Sequence, residues 1–252
     1  LIKKIIDIAV RAGEAIMDVY SRDFQVEYKD DASPLTEADK YSHEIIDAGL
    51  RKLDPSIPVV SEEGASVPYS ERSAYKTFWL VDPLDGTKEF VKRNGEFTVN
   101  IALIEGVSPV LGVIYVPAKG VLYYGSKTEG AYRQARGEEA VRIQRPLIPN
   151  DSPVRAVVSR SHPAPEVEGF LKAYNAASTV EAGSSLKFCL VAEDKADIYP
   201  RLGPTWEWDS AAGHAIAEAA GCLVTMPDGS PLTYNKESLK NPGFVVSAVA
   251  RS

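Results

Sequence analysis

Trp79-Leu80-Val81-Asp82-Pro83-Leu84-Asp85-Gly86-Thr87-Lys88-Glu89-Phe90 carries an apolar run straight into two aspartates three residues apart, with a Gly-Thr pair behind them. Acidic side chains gathered at the end of a buried strand repel each other, so a cation is expected between them. Oxygen-only donors favour Mg²⁺, Mn²⁺ or Ca²⁺ over softer metals. Pro83 fixes the turn, which lets the Leu84 carbonyl face inward with the two carboxylates. The backbone N–H groups of Gly86 and Thr87 would then form a nest for phosphate oxygens. Asp-Pro and Asp-Gly are also common turn dipeptides, and Asp-Gly alone reads that way more often. The twelve residues together are much harder to explain as a turn.

Two further stretches end in acids. Upstream, Val59-Val60-Ser61-Glu62-Glu63-Gly64 is another short apolar strand closed by carboxylates; downstream, Trp206-Glu207-Trp208-Asp209-Ser210-Ala211-Ala212-Gly213 places Asp209 at the start of a small-residue helix. Each has a plainer reading, Asp209 as a helix N-cap and Glu62 or Glu63 as a solvated strand end. Three acid-terminated elements in one chain favour a shared site.

Around them, residues 2–20 have helical periodicity, and a second helix is expected from Thr36-Glu37-Ala38-Asp39, which resembles a capping box. Ile57–Ser61, Phe78–Val81, Val110–Val116 and Val121–Tyr124 read as strands, and Phe97–Ile104 as an alternating one. The second half alternates: strand 154–159, helix 165–174, helix 184–193, strand 196–199, helix 209–220 with Gly221 as its C-cap, and strand 222–226. The expectation is an α+β half with an antiparallel sheet over 1–148 and an α/β half over 149–252. The boundary falls between Arg142 and Val154, where Pro146, Pro149 and Pro153 punctuate the chain.

The 252 residues are 44% hydrophobic and 25% charged with a net charge of -7. That is an ordinary globular composition and argues against nucleic acid as a partner, because polyphosphate backbones are gripped by surplus Lys and Arg. It leaves room for a small phosphorylated ligand held by a few local cations or a metal. Cys189 and Cys222 lie far apart in apolar contexts, so buried free thiols and a reducing compartment are expected. With three histidines and no paired Cys/His spacing, zinc is not expected. No apolar run reaches membrane-spanning length and no signal peptide is visible, so the cytoplasm is the default location.

Asp82-Pro-Leu-Asp85-Gly-Thr, Ser-Glu62-Glu and Trp208-Asp209-Ser-Ala-Ala-Gly, in this order and spacing, resemble the signatures of the inositol monophosphatase superfamily of lithium-sensitive, magnesium-dependent phosphatases. The similarity covers essentially the whole chain. Asp85-Gly-Thr-Lys88-Glu-Phe90, Asn94-Gly-Glu-Phe-Thr-Val-Asn-Ile-Ala, Gly183-Ser-Ser-Leu-Lys187-Phe and Tyr199-Pro-Arg201 look like its 3'(2'),5'-bisphosphate nucleotidase branch (CysQ type). Inositol phosphatases typically carry Asp-Gly-Thr-Thr-Asn-Phe at the first of these places. The resemblance implies a layered α-β-α-β-α sandwich and two or three Mg²⁺ ions, with Mn²⁺ as a substitute. Glu62, Asp82 and the Leu84 carbonyl would hold the first metal, and Asp82, Asp85 and Asp209 the second. Glu62 and Thr87, together with Asp39, would orient and deprotonate the attacking water; Asp39 also has the competing role of capping-box acid. Glu63 is expected behind the ligands.

The implied substrate is adenosine 3',5'-bisphosphate, cleaved to AMP and phosphate, with the related sulfated nucleotide second, which places the enzyme in sulfur assimilation. Its reacting phosphate would meet Glu62, Leu84, Asp85, Gly86, Thr87 and Asp209. Ser184, Lys187 and Arg201 would hold the nucleotide and its 5'-phosphate, with His162 near the base or ribose. The plainer readings are that Lys187 and Arg201 are surface cations and His162 a loop residue before Pro163. Direct in-line hydrolysis is expected, since neither Ser184, Ser185 nor a cysteine sits in a nucleophile pattern. The rivals are an inositol or sugar monophosphate phosphatase on the same scaffold, and a metal- and nucleotide-binding sensor with vestigial activity. A monomer and a homodimer fit equally. Some bacterial members associate peripherally with the inner membrane, but no anchor is seen in this sequence.

Overall fold

Ile5, Ala9, Ala12 and Ile16 recur at helical spacing and are fully buried in α1 (Ile2–Tyr20) of the computed structural model, which describes residues 1–28, 34–161 and 165–250. A small ladder of β1 (Glu27–Tyr28) with β2 (Pro34–Leu35) leads to α2 (Glu37–Leu53). Thr36 caps α2 as expected: its hydroxyl accepts from the Ala38 N–H, and the Asp39 carboxylate accepts from the Thr36 N–H at 2.8 Å. There follow β3 (Val59–Ser61), α3 (Tyr69–Arg72), β4 (Thr77–Asp85), α4 (Thr87–Val91), β5 (Thr98–Glu105), β6 (Ser108–Val116), β7 (Val121–Ser126), β8 (Gly130–Ala135) and β9 (Val141–Ile143). The strands β3 to β9 form one sheet in sequence order, parallel only between β3 and β4 and antiparallel elsewhere.

The second half contributes β10 (Val154–Ser159), α5 (Pro165–Ala173), β11 (Ala176–Ala182), α6 (Leu186–Ala192), β12 (Ile198–Arg201), β13 (Thr205–Trp206), α7 (Glu207–Ala220), β14 (Leu223–Thr225), β15 (Lys240–Asn241) and β16 (Phe244–Ser247). Its five-stranded sheet runs β11-β10-β12-β16-β14, parallel across the first three strands and antiparallel across the last three. Strands alternating with α5, α6 and α7 make this half α/β, as the alternation in the sequence predicts.

The layers follow from which faces are apolar. Trp79, Val81, Val99, Ile101 and Val113 pack with α1 and α2 on one side of the seven-stranded sheet. Phe78, Leu80, Ala102, Ile104 and Ile114 pack on the other with α6, α7 and the inner face of the five-stranded sheet. Leu171 of α5 joins Val154, Ala156, Ile198 and Val245 on the outer face. The order is α-β-α-β-α, as the resemblance implies. Helices on both faces leave β5 buried at every position from Thr98 to Ile104, so it is not the half-solvated alternating strand that its pattern suggests. β8, β9, β11 and β16 went unread: β11 is a largely exposed edge of small and polar residues, and β16 is four residues buried on both sides. Among the described residues no helix is long and apolar enough to cross a membrane.

Candidate active site

Residues three apart on a regular strand face opposite ways. β4 escapes this through a bulge: Asp82 pairs with Asn100 and Asp85 with Thr98, so three steps on β4 match two on β5. Both aspartates thus turn toward the same face of the sheet. Parallel pairing of Ser61 with Val81, continued by a bond from the Glu62 N–H to the Val81 carbonyl at 3.1 Å, sets Glu62 beside Asp82. Asp209 arrives from the first turn of α7. That helix starts at Glu207, two residues earlier than the small-residue run suggests, so Asp209 is not its N-cap residue; Oδ2 reaches back to accept the Trp206 N–H at 2.8 Å.

Glu62, Asp82 and Asp209 each place an oxygen so that all three lie within 4.8 Å of one another. Glu63, the other acid of that strand end, is outside this trio. Asp82 is 1% exposed. Burial, then the charges of Glu62, Asp85 and Asp209, push its pKa well above the ordinary aspartate value. Asp209 is pushed up by burial, Asp85 and Glu62. Asp85 is raised by burial, against the Ser184 hydroxyl and Lys187, which favour its charge. Such a cluster holds its negative charge only with a cation among its oxygens, and hard carboxylate donors are the set a divalent cation of the Mg²⁺ type takes. The residues fit a divalent-metal site.

The backbone between the aspartates is also committed. The Leu84 N–H donates to Asp82 Oδ1 at 3.1 Å and the Ser42 hydroxyl to the Pro83 carbonyl at 2.7 Å. The Thr87 hydroxyl donates to Asp39 Oδ1 at 3.2 Å and lies 3.4 Å from the Leu84 carbonyl. Gly86 adopts φ +89, a left-handed conformation that a side chain would strain. It opens α4, a helix that the sequence pattern did not reveal.

A cavity of about 200 Å³ opens over these groups, lined among others by Glu62, Asp85, Thr87, Lys187, Arg201 and Asp209. Gly86 and Ser184 lie on its wall as well. Lys187 is not a surface cation: it is 4% exposed, its Nζ donating to the Ala182 and Ser184 carbonyls over the Tyr199 ring. Burial lowers its pKa to about 8, although Asp85 opposes the shift. Arg201 is partly buried and donates to the Pro204 carbonyl at 3.1 Å. His162 lies outside the described residues. The Ser184 hydroxyl is committed to Asp85 and Thr98, and that of Ser185 to Asn100 and Thr98. Thr98, Asn100, Ser185, Glu89 and Ser42 were missed as site-building residues. For Thr98 and Asn100 a signal existed, two polar side chains at alternate positions of an otherwise apolar strand.

The inositol monophosphatase family model matches residues 1–247. The 3'(2'),5'-bisphosphate nucleotidase CysQ of Salmonella typhimurium is 47% identical over 250 residues, covering 98% of this chain and 99% of that protein. The protein of the same name from Escherichia coli K12 is 48% identical with the same coverage. A crystal structure of CysQ from Bacteroides thetaiotaomicron, described as a bacterial member of the inositol monophosphatase family, matches with a TM-score of 0.85 at 46% identity over 99% of this chain and 97% of that one.

Proposed function

The chain belongs to the inositol monophosphatase family, and from that premise we propose that its carboxylate cavity removes the 3'-phosphate of adenosine 3',5'-bisphosphate. It is a 3'(2'),5'-bisphosphate nucleotidase of the CysQ type, a hydrolase of sulfur assimilation that yields AMP and phosphate, with the sulfated relative of that nucleotide as a second substrate. The observation that carries this reading is the meeting of Glu62, Asp82 and Asp209 within 4.8 Å at a cavity that also holds Lys187 and Arg201.

In this reading residues 1–148 carry most of the metal site, and 149–252 supply the substrate pocket and Asp209. Glu62, Asp82 and the Leu84 carbonyl would hold one Mg²⁺, and Asp82, Asp85 and Asp209 a second. When bound, such ions neutralise phosphoryl oxygens and acidify water. Thr87 gives its own proton to Asp39 Oδ1, so its lone pairs are left to orient the attacking water. Glu62 would take up one proton of the water as its oxygen bonds to phosphorus, while the P–O bond to the ribose breaks and the departing 3'-oxygen is protonated from solvent to give the hydroxyl of AMP. Arg201 grips the phosphate that does not react as a fork, and Lys187 as a point charge. Commitment of both serine hydroxyls within the wall favours direct transfer to water over a covalent intermediate.

The test is phosphate release from adenosine 3',5'-bisphosphate, inositol 1-phosphate and a sugar monophosphate, with and without Mg²⁺. Rapid Mg²⁺-dependent turnover of the nucleotide is expected, partly supported by Mn²⁺, inhibited by Li⁺, and blocked by Ca²⁺, whose longer bonds suit a looser site. Preference for inositol 1-phosphate would sink the nucleotidase reading alone. Full activity after exhaustive removal of divalent ions would sink the metal mechanism.

A further inference from the structure

Asp85 depends on a turn contributed by the other half of the chain. Its Oδ2 accepts the Ser184 hydroxyl at 2.6 Å and the Ser185 N–H at 2.5 Å, which leaves Oδ1 for a cation. The turn is not relaxed backbone: Ser184 has φ +54, a left-handed conformation uncommon for a residue with a side chain. Such a conformation persists only where the surroundings hold it.

One of the groups that hold it comes from the first half. Glu96, between α4 and β5, accepts the Gly183 N–H on Oε2 at 2.8 Å. The approach is close enough that a Cβ on Gly183 would lie 2.6 Å from Glu89 Cγ and 2.9 Å from the Glu96 carbonyl oxygen. Arg160, just beyond β10, donates to the same carboxylate at 3.1 Å and to the Glu181 carbonyl at 2.9 Å. Burial works against the charge of Glu96, but the Gly183 N–H, Arg160 and Lys119 outweigh it, so its pKa lies below the ordinary glutamate value. Glu96 is therefore an ionised acceptor fixed to the residue before the Ser184–Ser185 pair.

We propose that Glu96 is a positioning residue for the second metal, acting through the Gly183–Ser185 turn on the orientation of Asp85. The proposal rests on the assignment of Asp85 as a ligand of that metal. Glu96 does not touch the ion or the substrate; it sets the two donors that fix which Asp85 oxygen faces the site.

The test is a Mn²⁺ titration of the substrate-free protein followed by electron paramagnetic resonance, with a melting curve for each variant. Glu96→Ala is expected to weaken the looser class of Mn²⁺ sites by about tenfold, the lower end of what removal of a supporting hydrogen bond costs a metal site. The Mg²⁺ concentration for half-maximal turnover should rise in step, while KM at saturating Mg²⁺ stays close to wild type. Glu96→Gln keeps an oxygen for the Gly183 N–H and should recover most of the affinity. Glu96→Asp keeps the charge but withdraws the oxygen, so it should behave like the alanine variant. Lys119→Ala removes only the 3.5 Å ion pair on Oε1 and should leave Mn²⁺ binding unchanged. If Glu96→Ala fails to fold, the contrast between the glutamine and aspartate variants decides. Wild-type Mn²⁺ affinity in both Glu96→Ala and Glu96→Asp, with only a lowered melting temperature, would reduce Glu96 to a structural residue and overturn the proposal. A wild-type protein that binds no Mn²⁺ removes the functional reading and this proposal with it.

Discussion

The two oxygens of Asp39 are divided between helix and site. Oδ2 accepts from the Thr36 N–H and hydroxyl and caps α2, while Oδ1 accepts from Thr87 beside the metal ligands. A carboxylate has acceptor sites enough for both the cap and the water-orienting role proposed for Asp39. Asp85→Asn and Asp209→Asn keep their hydrogen-bond acceptors but lose a charge from the proposed second metal. Turnover should disappear, while the metal-free melting temperature holds or rises as repulsion in the cluster is relieved; wild-type turnover with a lower melting temperature would leave these residues as turn and cap. Arg201→Ala should raise KM for the bisphosphate nucleotide by about tenfold with little change in kcat, since its contact persists from ground state to transition state. A substrate lacking the second phosphate should not notice the change. Lys187→Ala is a different case, because its Nζ also holds the Ser184 carbonyl and kcat should fall with it. With its pKa lowered to about 8 by burial, Lys187 loses its proton as pH rises through that value, so KM should climb above pH 8. Lys187→Arg, if folded, should flatten the climb; an unchanged profile would remove Lys187 from substrate binding.

At the scale of elements, α7 explains its own composition. A Cβ on Gly112 of β6 would lie 2.2 Å from the Ala212 carbonyl oxygen, and one on Gly213 only 2.4 Å from Phe188 Cγ of α6. Alanine and glycine let the helix lie between sheet and helix at backbone contact, which carries Asp209 to the mouth of the site. Gly112→Ala meets rigid backbone rather than a side chain that can swing away. It should cost about 3 kcal/mol, the upper part of the usual overpacking range, read as a shifted urea midpoint. Activity per folded molecule should fall too, because α7 must back away; full activity would place the origin of Asp209's position elsewhere. Long periodic or capped helices such as α1 and α2 were legible in the sequence, as were the apolar strands β3 to β7. The bulge between Asp82 and Asp85 was not: Pro83 signals a turn, but the skipped pairing step exists only against β5.

For the whole molecule, the connection between the two halves is pinned by one buried carboxylate. Asp197, 4% exposed, accepts from Arg145 in the connecting segment and from the Arg155 side chain and N–H of β10. Burial raises its pKa, but the bonds from Arg155 and the charges of Arg155 and Arg145 outweigh this, so it titrates below the ordinary aspartate value. Below pH about 3.9 the unfolded chain takes up that proton first. The stabilisation is therefore fully present above that pH and is lost as pH falls through the folded-state value. Asp197→Asn should lower stability at pH 7 by about 3 kcal/mol and flatten the acid limb of a melting-temperature profile. An unaltered acid limb would show that other carboxylates carry it. Added Mg²⁺ should raise the melting temperature, and more at neutral than at acid pH, because fewer protons then have to leave the clustered carboxylates for the ion to bind.

What the sequence determined by itself was local: two long helices from their periodicity and caps, the apolar strands that end in acid, and the need for a cation wherever such acids meet. These rest on interactions within a few residues or on the repulsion that carboxylates exert wherever they are brought together. The meeting itself was decided by tertiary structure, because Glu62, Asp82 and Asp209 come from β3, β4 and α7, and only pairing register and helix packing bring their oxygens within 4.8 Å. The same holds for the Gly183–Ser185 turn on Asp85 and for the burial of Lys187. A hydrogen bond between residues 85 and 184 leaves no trace in either neighbourhood of the chain, and a lysine's desolvation depends on what the rest of the protein stacks above it.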